Sequence, residues 1–167
     1  MELLVYNRKK CLRSETKAGQ RSIRIDRLGN MSLTTTLVAE MNLHDGSMIS
    51  LANDGDNPKN WYLCCSDDLD GFPVRIDWTP RKTNLPYADE VCMGARFNSR
   101  WLGRKILDCA GVEGPATFMI SQKTIEVEGN IYYRIIITNP IIREKKPYVR
   151  KRKTIAVSYT HLRAHET

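Results

Sequence analysis

The sequence predicts a mainly β protein with two short helices, in which two fused β-β-α-β-β units form one barrel-like pseudo-dimer. Two observations lead to this fold class. Short runs of alternating apolar and polar residues, which are typical of half-buried strands, recur along the chain. The same order of predicted elements then occurs twice, in residues 22–72 and in residues 73–142, and such self-similarity indicates an internal repeat.

The first unit begins with a predicted hairpin, because alternating residues lie on both sides of the Leu28-Gly29-Asn30 turn. A threonine follows it and is placed to cap a short helix, whose apolar side chains have helical spacing. Two strands complete the unit, with an Asn- and Asp-rich loop at 53–58 between them. The predicted elements are the hairpin of 22–26 and 31–33, a helix from Thr34 or Thr35 to Met41, and the strands 48–51 and 61–64.

The second unit repeats this order with a longer first loop. Its first strand, VRID at 74–77, echoes IRID at 23–26, and a loop at 78–94 leads to the strand 95–98. Ser99 is placed to cap a helix over 100–110, and Gly111 stands where a helix of this kind ends. The strands 117–120 and 131–138 complete the unit.

Each unit is too small to bury its own apolar faces, so the two units are expected to share one core. An approximate two-fold axis should relate them. The residues predicted to be buried in this shared core are Ile23, Ile25, Leu33, Leu37, Met41, Ile49, Leu51, Ile76, Leu102, Ile106, Leu107, Phe118 and Ile120.

The positive charge of the chain lies at its ends. The net charge is +7, yet residues 8–27 carry eight basic and two acidic residues, and residues 143–153 carry seven basic and one acidic. Between them, residues 28–142 carry ten basic and fourteen acidic residues. The segments 1–21 and 143–156 are therefore predicted to be a basic arm and a basic tail. Such blocks are either solubilising tails or arms that contact phosphates without reading sequence.

The last eleven residues, VSYTHLRAHET at 157–167, resemble a translated sequencing adapter. Segments of that origin are excluded from fold reasoning. We therefore expect the native sequence to end near Ile155, and we expect the adapter-derived tail to be irregular and to make few contacts.

The first unit also resembles a known family. Its residues DRLGNMSLT at 26–34, followed by a short helix and LHDGSMI at 43–49, are similar to the swapped-hairpin DNA-binding domains of the AbrB and SpoVT type. The resemblance covers residues 22–63 and, more loosely, 74–138. The family binds DNA as an intertwined dimer, and its MraZ-like branch has two tandem copies in one chain. The resemblance thus implies a DNA-binding regulator. The chain departs from the family at Asn30, where a basic residue is usual, and at Thr34, where proline is usual.

The basic residues nearest to these motifs, and those of the tail, are the candidate DNA contacts. Arg100 and Arg104 are one helical turn apart and therefore share a face. A solvated helix face is the alternative for them. The loop at 78–94 adds two basic residues beside Trp78 and Tyr87, which makes it a candidate recognition loop. The candidate contacts are Arg24, Arg27, Arg81, Lys82, Arg96, Arg100, Arg104, Lys105, Lys145, Lys146, Arg150, Lys151, Arg152 and Lys153.

The sequence gives little support to catalysis, and we expect neither an enzyme nor a metal or other cofactor. Outside the adapter-like tail the only histidine is His44, and the five cysteines form no C-x-x-C pair. The acidic cluster Asp67, Asp68 and Asp70 has no histidine or basic partner to separate pKa values for acid and base work.

The expected partner is nucleic acid, most simply double-stranded DNA. The sequence leaves open whether the chain also forms a homo-oligomer. The chain has no membrane-length apolar run. An odd number of cysteines without a secretion signal indicates the cytoplasm. The alternative function is that of a non-catalytic assembly protein that binds a protein partner, and such a protein would show no affinity for polyanions.

Overall fold

The computed structural model describes residues 19–67, 70–80, 90–143 and 147–148. Within them the predicted fold class is confirmed, because the chain is mainly β and has two helices. The elements are β1 (Ser22–Ile25), β2 (Asn30–Leu33), α1 (Thr35–Glu40), β3 (Met48–Asn53), β4 (Trp61–Cys65), β5 (Phe72–Pro73), β6 (Arg75–Pro80), β7 (Glu90–Asn98), α2 (Arg100–Ala110), β8 (Ala116–Val127) and β9 (Asn130–Ile141).

The described strands form one antiparallel sheet in the order β5-β3-β4-β9-β8-β1-β2-β7-β6. The sheet curls until its two ends meet. Val74, between β5 and β6, donates its N–H to the carbonyl of Ser47 at 2.9 Å and accepts from the N–H of Gly46 at 3.0 Å. The rings of Phe72 and Phe97 stack across the same junction, with centroids 6.2 Å apart. The result is a nearly closed barrel.

The predicted succession of strand, strand, helix, strand and strand appears in both halves, with the two-residue β5 as an addition. The two halves are interleaved. The hairpin β1–β2 of the first half lies between β8 and β7 of the second half, and β4 pairs with β9. Neither half therefore has a sheet of its own. The superposition of the two units about a two-fold axis stays a prediction.

The core fills the inside of this barrel, and most of the predicted core residues lie in it. Leu51 and Leu102 are exceptions, because both are only partly buried. Several further side chains are buried although they were not among the predicted core residues. These additional core residues include Met31, Trp61, Leu63, Phe97, Ile135 and Ile137.

The two helices begin and end by different means. Ser99 caps α2 as predicted, since its side chain accepts from the N–H of Leu102 at 3.4 Å. Gly111 ends α2 in the left-handed conformation, with φ of 70°, which was also predicted. A threonine stands at the start of α1 as predicted, but it makes no side-chain capping hydrogen bond. Thr34 stands at the N-cap position, but its hydroxyl accepts from the N–H of Ser22 and thereby joins α1 to β1.

All four strands of the second half extend further than predicted. The predicted loop at 78–94 is shorter, because β6 continues to Pro80 and β7 begins at Glu90, with an irregular register between Asp77 and Trp78. The hairpin of β8 and β9 also extends beyond the core, to a tight turn at Glu128 and Gly129 with φ of 53° and 80°. The outer part of β8, residues 122–127, is exposed on both faces, so cross-strand hydrogen bonds form it without the one-sided apolar alternation that predicts strands.

Several predictions lie outside the described residues. These are the strand at 3–6, most of the basic arm, Tyr87, nearly all of the basic tail and the adapter-like segment at 157–167.

Candidate nucleic-acid interface

Six of the candidate DNA contacts lie among the described residues. Arg24 is on β1 and Arg96 on β7, Arg27 is in the β1–β2 turn, and the other three are on α2. The remaining candidates lie outside the described residues: Arg81, Lys82, Lys145, Lys146, Arg150, Lys151, Arg152 and Lys153.

The β1–β2 turn is docked on the N-terminal end of α2. The carbonyl of Gly29 accepts from the N–H of Ser99 at 3.0 Å, and the side-chain amide of Asn98 donates to the side-chain oxygen of Asn30 at 2.8 Å. The approach is so close that Gly29, with φ of 85°, has no room for a Cβ, and a Cβ on Gly103 would lie 3.0 Å from the Cα of Gly29. The close approach of the turn to the helix therefore requires glycine at both positions.

Asp26 organises the inside of that turn. Its carboxylate accepts from the N–H of Leu28 at 2.9 Å, the N–H of Asn30 at 2.9 Å and the side-chain amide of Asn30 at 2.8 Å. Partial burial alone would raise the pKa of Asp26, but these hydrogen bonds and the charge of Arg24 outweigh it and lower the pKa below its ordinary value. The carboxylate is thus ionised and occupied within the turn.

This docking brings Arg27 close to α2. Arg27 and Arg104 line one concavity of about 380 Å³, together with Leu107, Asp108, Val112 and Glu113. The two arginines are far apart in sequence, and the contact of turn and helix alone brings them together. Among the described residues neither forms an ion pair.

The outer face of α2 carries the predicted pair Arg100 and Arg104. Both are exposed, and they line a second concavity, of about 760 Å³, with Trp101. The side chain of Trp101 is 68% exposed, which is unusual for so large an apolar group.

Lys105 differs from its neighbours on α2. Its ammonium lies 4.7 Å from the centroid of the Trp101 ring and 5.8 Å from that of Trp61, which is buried in β4. Cation–π contacts of this kind hold the charge against the protein surface. Lys105 therefore joins the helix to the barrel and is less available to a ligand than Arg100 and Arg104.

A row of polar side chains crosses the outer face of the sheet beside the turn. Arg24 pairs with Ser32, Ser32 with Arg96, and Arg96 with Arg75, so that four neighbouring strands contribute one residue each. Arg96 also forms an ion pair with Asp77 at 2.7 Å. Sequence reasoning missed Ser32 and Arg75. The repeat of IRID and VRID could have found Arg75, because it gives Arg75 the place that Arg24 has in the first unit.

A separate apolar surface lies at the end of the β8–β9 hairpin. Ile125, Val127 and Ile131 are each between 45% and 49% exposed. The first two of them line a concavity of about 270 Å³ with Ala52, Tyr62 and Tyr132. No basic residue lines this concavity among those that the structure describes.

Nothing among the described residues groups three or more metal-binding side chains. In the same residues neither helix is long and apolar enough to cross a membrane. Burial raises the pKa values of the Cys64 and Cys65 thiols, which is typical of unreactive cysteines in a core.

Comparison with protein-family models, with curated proteins and with solved structures finds no match for this chain. The resemblance to the swapped-hairpin family therefore rests on the sequence motifs alone and stays an expectation.

Proposed function

We propose that this protein binds nucleic acid without catalysing a reaction, and that duplex DNA contacts it at the junction of the β1–β2 turn and α2. The observation that carries the proposal is the convergence of Arg27 with Arg100 and Arg104, through the docking of Gly29 on the start of the helix. Three exposed guanidinium groups on a rigid junction suit the recognition of phosphates, which arginine binds in a bidentate manner.

The chemistry of such a site is electrostatic. Each guanidinium that contacts a phosphate releases condensed counterions, so the affinity falls steeply as the salt concentration rises. The arginines of the junction would set the position of the duplex. The basic segment 143–153 would add affinity that is independent of sequence. Any preference for a sequence must come from side chains of the folded barrel, since those alone are held in a fixed position relative to base edges.

The test is a fluorescence anisotropy titration of a labelled 20-base-pair duplex at low and at moderate salt. The parent chain should bind, and its affinity should fall strongly with salt. The double variant Arg100→Ala and Arg104→Ala should bind DNA more weakly than the parent chain. The fold loss of affinity should be larger for a preferred sequence than for random DNA. The matched control removes two positive charges elsewhere, with Lys123→Gln and Arg134→Gln, and should lose much less affinity.

Deletion of 143–153 gives the complementary result. It should remove most binding to random DNA and lower the salt dependence. The proposal fails if the parent chain shows no binding at low salt, or if the double variant and the deletion both bind every duplex as well as the parent does.

A second candidate function is assembly with a protein partner, and the exposed apolar side chains of the hairpin tip favour it. If DNA binding is absent, the variant Ile125→Ser and Val127→Ser tests this function by light scattering. A smaller mass for the variant than for the parent would support assembly through the tip. Equal masses would count against self-assembly.

A further inference from the structure

The outer-sheet row places two arginines on either side of a hydroxyl group. Arg24 and Arg96 stand on β1 and β7, with Ser32 on β2 directly between them in the pairing register. Because neighbouring strands are about 4.8 Å apart, the two arginine Cα atoms are separated by about 10 Å, a span that two arginine side chains can close around one small anion. Both arginines are exposed and line one concavity of about 300 Å³ with Ser32.

The other polar side chains of this concavity are already hydrogen-bonded to neighbouring residues. Asn30 and Asp26 also line it, but the Asp26 carboxylate accepts three hydrogen bonds within the turn, and the Asn30 side chain bonds to Asp26 and Asn98. Among the described residues the Ser32 hydroxyl has no hydrogen-bond partner and Arg24 forms no ion pair. The free donors of the concavity thus belong to Arg24 and Ser32.

Arg96 is the exception, because Asp77 holds it. Their atoms Nη2 and Oδ1 are 2.7 Å apart, and the two side chains are 55% and 31% exposed. Asp77 also offsets the repulsion between Arg96 and Arg75, which face each other across β7 and β6. An anion that binds Arg96 must share it with Asp77 or displace Asp77.

We propose that Arg24, Ser32 and Arg96 form a clamp for a single phosphate group, and that Asp77 limits the affinity of the clamp by competing for Arg96. This inference rests on the proposed function, in which the phosphate is a diester of the nucleic-acid backbone. A free phosphate ion has the same chemistry and is distinguished by the test below.

The first measurement is the slope of log affinity against log salt for the 20-base-pair duplex. A protein that loses one phosphate contact on duplex DNA loses about 0.9 from this slope. Arg24→Gln and Arg96→Gln should each reduce the slope by about 0.9 and weaken binding by about threefold to tenfold at moderate salt. The double variant should reduce it by the same 0.9 and not by twice as much, because both arginines share one phosphate. Arg134→Gln removes one exposed charge elsewhere and should leave the slope nearly unchanged.

Asp77 gives the second measurement. Asp77→Asn should strengthen duplex binding about threefold in the parent chain, because it releases Arg96. In the Arg96→Gln background the same substitution should have a much smaller effect. Equal effects in both backgrounds would mean that Asp77 acts only as a distant negative charge, and would overturn the competition. Arg24→Lys keeps the charge without the bidentate geometry and should recover only part of the lost affinity.

The third measurement separates the clamp from the proposed function. Inorganic phosphate is titrated into the ¹⁵N-labelled chain, with chloride of equal ionic strength as the control. Saturable shifts of the backbone amides of Arg24, Ser32 and Arg96, absent in the Arg24→Gln variant, support the clamp even if duplex DNA does not bind. Duplex binding with additive slopes for the two arginine variants, and without phosphate-specific shifts, would overturn the clamp and leave the proposed function intact.

Discussion

Replacement of Gly29 by alanine is expected to be strongly destabilising, for two reasons that can be separated. Gly29 has φ of 85°, which costs an L-residue about 1–2 kcal/mol. A methyl group there would also overlap the backbone N and Cα of Arg100 and lie 2.6 Å from the carbonyl carbon of Ser99. Backbone atoms cannot rotate away, and forced overpacking of this kind costs about 1–3 kcal/mol. The sum is about 2–5 kcal/mol, a large part of the stability of a typical domain.

Gly111→Ala is the matched control. Gly111 also has positive φ, of 70°, but no atom lies within 4 Å of the position that its Cβ would take. Only the conformational cost of about 1–2 kcal/mol then remains. Thermal unfolding followed by circular dichroism measures both variants, and each kcal/mol should lower the Tm by about 2–4 °C for a chain of this length.

The Gly29→Ala variant should also bind DNA more weakly, because relief of the overlap moves α2 away from the β1–β2 turn and separates Arg27 from Arg104. If Gly29→Ala lowers the Tm no more than Gly111→Ala does, the turn is not held against the helix as described. The convergence that carries the proposed function would then lose its structural basis.

Three further predictions concern the core and the turn. The pKa of Asp26 is lower in the folded protein than its ordinary value of 3.8. The ionised carboxylate therefore contributes its full stabilisation above pH 3.8, and this stabilisation is lost as the pH falls through the pKa of the folded state. In urea unfolding, the difference in free energy of unfolding between the parent and Asp26→Asn should be constant near neutral pH and should shrink below pH 3.8. A difference that persists unchanged to pH 2 would contradict this. Phe118→Ala should cost about 3–5 kcal/mol in the same assay, since Phe118 is fully buried, whereas a loss under 1 kcal/mol would place it outside the core. Cys64 is 0% exposed and burial raises its pKa, so iodoacetamide followed by mass spectrometry should label it only after unfolding, and prompt labelling in the folded protein would refute its burial.

The fold could be predicted from the sequence wherever one face of an element is buried and the other is solvated. The period of two in residues 22–26 identified β1, and Ser99 with Gly111 fixed both ends of α2. The outer part of β8, residues 122–127, escaped prediction because both of its faces are exposed, and a strand without a buried face lacks the one-sided apolar pattern that predicts strands. Thr34 is the N-cap residue of α1 as predicted, but its hydroxyl accepts from the N–H of Ser22 and makes no capping hydrogen bond, which the local sequence does not show.

The candidate site shows a different limit. Alternation along a strand tells which face a side chain takes, so the exposure of Arg24 and Arg96 follows from their buried neighbours. It does not tell which strands become neighbours. Ser32 and Arg96 meet because β2 of one half pairs with β7 of the other, although the two residues are 64 positions apart in the sequence.

The interleaving of the halves also explains how the described arginines of the first hairpin come close to those of the second unit. The first unit carries one lysine against seven acids in residues 28–72, so it offers little to a phosphate beyond the arginines of its first hairpin. The second unit supplies Arg96, Arg100 and Arg104. Because β1–β2 is inserted between β8 and β7 and its turn is docked on α2, the arginines of the hairpin and those of the second unit come to lie side by side. The basic surface is thus a product of the pairing between halves, and neither half carries it alone.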